Sequence, residues 1–170
     1  FLGKYNFIKR GNSKLKISIT KNINSRKWKA DFDANLFSNE IEINLINFQK
    51  SINRRGSVSG TLYFDGLDLV KVDKLDFLTE QLLVSANLLF KNGSELESIL
   101  IERYIKDKNN FKANIQFLES NINIVQIGGD SIDFKSLMSF GTGEENNMTL
   151  TLNVDNVYYD NIFFGSTFIE

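Results

Sequence analysis

Apolar and polar residues alternate with a period of two through almost the whole of this 170-residue chain, and no proline interrupts the pattern. That period places successive side chains on opposite faces of an extended backbone, so each such run reads as a half-buried β-strand. Leu15, Ile17 and Ile19 alternate with lysine, serine and threonine; Trp28, Ala30, Phe32 and Ala34 alternate with Lys29, Asp31 and Asp33. The same spacing recurs at Ile41–Leu45, Val58–Phe64, Leu67–Leu75, Leu82–Phe90, Leu96–Tyr104, Phe111–Phe117, Ile122–Ile127, Met148–Val154 and Ile162–Ile169. A chain of this kind must bury one face of a sheet against something.

Polar turns such as Asn22-Ile23-Asn24-Ser25, Lys91-Asn92-Gly93-Ser94 and Lys106-Asp107-Lys108-Asn109-Asn110 separate the runs. Short turns join antiparallel neighbours, because parallel pairing needs a crossover of a dozen residues or more. The expected fold is therefore all-β and antiparallel, a single domain over residues 1–170. One segment reads as helix: Asp133 is a capping residue, Phe134, Leu137 and Met138 follow at helical spacing, and Gly141 stops the run. Glu95–Ile105 also fits a helical period, but its place between turn signals favours a strand.

Composition removes most catalytic chemistry. The chain has no His and no Cys, which excludes thiolate zinc sites, thiol nucleophiles and histidine bases. Gly56-Ser57-Val58-Ser59-Gly60 has Val58 where a nucleophile elbow needs its serine, so it reads as the start of a strand. Gly141-Thr142-Gly143 lacks the lysine of a phosphate loop. Asp65, Asp68, Asp73 and Asp76 match no calcium-loop spacing and are interleaved with Lys71 and Lys74. These observations predict no catalytic residue, metal or cofactor. Twenty basic residues against 21 acidic ones give a net charge of −1, which makes nucleic acid an unexpected partner. The longest apolar runs are only a few residues, too short for a membrane-crossing helix.

Fifteen Phe lie mostly on the apolar phase of the strands. They fill either an ordinary packed core or an open apolar face that accepts a ligand. With almost no helix to cover it, a sheet of this size must curl, meet another sheet or accept a ligand.

The stretch Phe111–Phe117, followed by Ile122-Asn123-Ile124-Val125-Gln126-Ile127-Gly128-Gly129-Asp130-Ser131-Ile132-Asp133-Phe134-Lys135-Ser136-Leu137-Met138, resembles the AsmA-like family of bacterial envelope proteins, especially its YhdP- and TamB-type members. The shared pattern is a strand, a second strand ending in glycine, and a turn into a short helix. Gly60-Thr61-Leu62-Tyr63-Phe64 and Leu82–Leu88 are similar to other strands of that family, and the likeness covers residues 28–157. The resemblance implies an elongated, strongly curved, groove-like sheet with one short helix near 133–140. It further implies an internal segment of a periplasmic lipid-transfer protein, tethered to the inner membrane by an anchor outside these residues. The opening Phe1-Leu2-Gly3-Lys4, with no signal-peptide core, agrees with such an expectation. Its partners would be phospholipid and neighbouring segments of the same chain.

On that reading Ile43, Leu62, Phe64, Val84, Leu88, Ile115, Phe117, Leu150 and Leu152 line a trough for acyl chains. Gly129 forms the turn and Asp133 caps the helix. The rival expectation is a closed β-sandwich or barrel, a structural or adhesive module with a dry core and no ligand.

Overall fold

The computed structural model describes residues 7–92, 95–118, 122–135, 147–160 and 162–169. They are nearly all strand. Thirteen strands form two sheets. The smaller has three strands in the order β1 (Ile8–Arg10), β4 (Glu40–Ile43), β5 (Phe48–Lys50). The larger has ten strands. It runs from β2 (Lys14–Lys21) through β3 (Lys27–Asn35), β6 (Gly56–Asp65), β7 (Asp68–Thr79) and β8 (Leu83–Lys91). It continues through β9 (Glu95–Lys106), β10 (Asn109–Phe117), β11 (Ile122–Asp133), β12 (Asn147–Tyr159) and β13 (Ile162–Ile169).

From β6 to β11 each strand pairs antiparallel with the next in sequence, as the short turns require. The expectation of a wholly antiparallel sheet fails at one place, because β11 and β12 are parallel. The connection over residues 134–146 is long enough for a crossover. Alternation alone is the same in both kinds of pair. Edge strands β2 and β13 lie at opposite ends of the order, so the large sheet is open and the expected closed barrel is excluded.

Three local expectations also change. The run Ile41–Leu45 is not a strand of the large sheet: β4 ends at Ile43 and a 3-10 turn takes over at Asn44–Ile46. Gly129 does not end a strand. It lies inside β11, where Asn110 opposes Ser131 while Phe111 opposes Gly129, leaving Asp130 as the extra residue of a bulge. Its φ of +150° and a Cβ that would fall 2.7 Å from Phe111 Cα both require glycine. Of the expected helix, Phe134 and Lys135 are helical, and residues 136–140 lie outside the described residues. Asp133 does cap this turn, its Oδ1 accepting the Lys135 N–H at 3.1 Å.

Two apolar clusters hold the fold. Ala113, Ile127, Ile132, Leu152, Val154 and Val157 form one, with Phe134 from the crossover packed against it. The other joins the sheets: Ile41 and Phe48 of the small sheet meet Leu36, Leu82 and Tyr104, with Val58, Phe77, Val84 and Phe111 packed around them.

Candidate functional site: an apolar sheet face

Directly opposed residues in neighbouring strands share a face, so the register identifies which side chains stand together. One row crosses nine strands without a polar residue: Ile19, Ala30, Leu62, Val72, Leu88, Ile99, Ile115, Val125 and Leu150. At the usual strand spacing it is about 38 Å long. A second row on the same face runs Leu15, Ala34, Val58, Phe77, Val84, Tyr104, Phe111, Gly129 and Val154. Between them, Ala86, Ile101, Ala113, Ile127 and Leu152 alternate small and large before ending in a large pair. Phe32 fills the gap left by Gly60, where an added Cβ would fall 3.0 Å from its ring.

The small sheet covers the second row, and Ile101 of the middle row packs against the same cluster. Val58, Phe77, Val84, Tyr104 and Phe111 pack beneath it, and burial pushes the Tyr104 phenol up to about 12. Tyr104 stacks on Phe111 with ring centres 4.7 Å apart. Leu62, Phe64, Leu88, Phe90, Ile99, Ile115 and Phe117 belong to neither cluster among the described residues and are half-buried. At the β3–β6 end of this open half, Trp28 stacks on Phe64 at 3.9 Å and donates its Nε1–H to Gly66 O at 2.7 Å.

The nine expected lining residues thus divide by environment. Leu62, Phe64, Leu88, Ile115 and Phe117 stand together on the open half. Val84 shares their face but lies under the small sheet, and Ile43 belongs to that covering sheet. Leu150 packs against the cluster that contains Leu152, and Leu152 has no exposed surface. Leu152 is therefore a core residue. Sequence periodicity predicts the shared face for eight of the nine. It carries no signal for which part of the face another element covers.

The opposite face is mixed: exposed Leu78, Leu89 and Leu100 stand on it beside local polar pairs. Asp31 accepts from Thr61 Oγ1 at 2.7 Å and lies 3.3 Å from Lys29 Nζ, and these contacts hold its carboxyl below the usual range. Lys71 pairs with Asp73 at 3.1 Å, and Arg26 with Asp65 at 3.3 Å. Asp76 accepts from Ser85 Oγ. Asp65, Asp73 and Asp76, whose spacing matches no calcium loop, are thus spread among separate partners. No group of three acidic residues with metal-binding geometry occurs among the described residues. Open depressions of about 510 and 590 Å³ lie on this side, both walled mainly by apolar atoms, the first beside Leu100, Lys112, Asn114 and Gln126. The apolar half-face is a surface instead.

A third, polar depression of about 250 Å³ lies at the end of the small sheet. There Lys50 is buried, its Nζ donating to Asn39 O at 2.8 Å and Ser51 O at 3.2 Å. Burial lowers its pKa, opposed by the nearby Glu80 carboxylate. Its two carbonyl partners make it a clamp on the turn at 51–55.

Protein-family models, curated proteins and solved structures were compared with the chain, and none matches.

Proposed function

We propose that this chain is a lipid-holding segment of an AsmA-like, bridge-type transfer protein of the bacterial envelope, and not an enzyme. The open half of the apolar face is the surface that carries acyl chains. The observation behind the reading is the nine-strand apolar row, of which Leu62, Leu88, Ile99 and Ile115 remain outside both packed clusters. Half a bilayer's hydrocarbon core is about 15 Å thick. The open part of the row, from Leu62 to Ile115 across five strands, is about 19 Å long, slightly more than this, and presents no polar side chain to a tail.

The magnitudes favour a covered trough over a flat platform. Full burial of a methylene contributes about 0.8 kcal/mol, and one-sided contact about half of that. Ten methylenes on an open face thus contribute about 4 kcal/mol, a millimolar interaction. Curling of the open half, aided by the small residues of the middle row, would raise that figure. Neighbouring segments of a longer chain would raise it further. Headgroups stay in water, so selectivity among them is weak. Periplasmic placement and an inner-membrane tether follow from the same resemblance.

Photo-crosslinking tests the reading. Benzophenone side chains at Leu88 and Ile115 should capture phospholipid, whereas the same group at Thr61 and Ser85, among the polar pairs of the opposite face, should not. Equal capture on both faces, or none on either, would overturn it. The rival reading, a structural module with a dry core, is favoured by the small sheet over Val58, Phe77 and Val84. It predicts no capture at any of the four positions.

A further inference from the structure

The outer edge of β2 is exposed along its whole length. All eight residues of Lys14–Lys21 are exposed, and no strand pairs with their outer side among the described residues. A free edge presents a row of unpaired N–H and C=O groups that templates another strand. Leu15, Ile17 and Ile19, exposed by 56%, 57% and 64%, begin the two apolar rows and the central line between them. The apolar face therefore stops here for want of a neighbour, not for want of apolar side chains.

Charge says what that neighbour is. The first thirty residues carry nine Lys and Arg and no Asp or Glu, in a chain whose net charge is −1. Lys9, Arg10, Arg26 and Lys29 have ion-pair partners elsewhere in the fold. Lys14 and Lys16, on the polar side of β2, and Lys21, at the end of its apolar side, form no ion pair among the described residues. The inner neighbour displays the matching pattern: β3 alternates Ala30, Phe32 and Ala34 with Asp31 and Asp33, and Asp33 stands opposite Lys16.

A second copy of the chain does not supply this pattern. Pairing β2 with β2 crowds the lysines of both copies onto one ribbon with no acid to offset them. The other edge strand, β13, reads Ile-Phe-Phe-Gly-Ser-Thr-Phe-Ile and carries no charge at all.

We infer that β2 is a docking edge for an extended segment of another polypeptide, one that alternates apolar with acidic residues and adds an eleventh strand to the sheet. Backbone bonds hold the strand, its apolar side chains extend the face past Leu15, Ile17 and Ile19, and its carboxylates meet Lys14 and Lys16. The inference stands on the edge and its charge, independently of any lipid.

The test uses the whole 170-residue chain and two fluorescein-labelled nonapeptides, one alternating Val with Asp and one alternating Val with Lys. The acidic peptide should bind saturably, more weakly as salt rises, and should slow amide hydrogen exchange in Lys14–Lys21 of the unaltered protein. The double variant K14E/K16E should bind it about tenfold more weakly and take up the basic peptide instead. Equal binding of both peptides, or protection confined to other strands, would overturn the inference. So would protection of β2 by a second copy at high concentration, or by anionic vesicles, with none from the acidic peptide.

Discussion

Truncating Leu88 and Leu152 to alanine separates an open face from a packed core, because the two leucines share a sheet face but not an environment. Leu152 has no exposed surface and sits among Ala113, Ile127, Ile132 and Val154. Removing its three isopropyl carbons forfeits about 2.4 kcal/mol of transfer free energy and leaves a cavity, for a total of about 3–5 kcal/mol. In a domain of this size that lowers the melting temperature by about 6–20 °C. Leu88 is half-buried between Val72 and Ile99, outside both clusters. Half the transfer term and no enclosed cavity give about 1 kcal/mol, or roughly 2–4 °C. Denaturant melts give the free energies, and thermal melts followed by circular dichroism give the midpoints. Phospholipid uptake should fall for Leu88→Ala and stay near the unaltered level for Leu152→Ala at temperatures where both are folded. Equal destabilisation at the two sites would refute the claim that the Leu62–Leu88–Ile115 half lacks a cover.

Three further outcomes follow from the same geometry. Gly129→Val should destabilise by about 3 kcal/mol or more in denaturant titration, since φ is +150° and the new Cβ meets Phe111 Cα at 2.7 Å; a loss under 0.5 kcal/mol would show that the bulge relaxes freely. Trp28 is the only Trp, stacked on Phe64 beside the open half, so its emission should shift to the blue when phospholipid binds and stay fixed if the face is not the site. Tyr104, raised from about 10 to about 12 by burial, favours the folded state fully below pH 10. That contribution declines as pH rises through 12, by at most about 1.4 kcal/mol per unit, and Tyr104→Phe should flatten this part of the stability–pH curve.

How much of this was legible in the sequence depended on which physical signal each feature leaves. Period two shows directly which side chains share a face, and Leu62, Phe64, Leu88, Ile115 and Phe117 do stand together. The ambiguous Glu95–Ile105 segment is strand, settled by its turn-bounded position between β8 and β10. Alternation is blind to what lies above a strand, so it could not show that Val84 is covered while Leu88 is not. Nor could it assign β4 to a second sheet. Strand direction leaves no trace in side-chain pattern, and only the length of the 134–146 connection hinted that β11 and β12 run parallel. Gly129 misled for a different reason. A glycine with positive φ serves a turn or a bulge equally well, and only the pairing of Phe111 with Gly129 and of Asn110 with Ser131 identifies the bulge.

The most direct test of the lipid-holding surface is native mass spectrometry of the purified chain, before and after incubation with phospholipid vesicles. A lipid-holding face should give masses that include one or more intact phospholipids after the vesicle incubation, reduced by Leu88→Asp without loss of fold. A clean ligand-free mass under both conditions, from folded protein, would contradict it and leave the dry structural module standing.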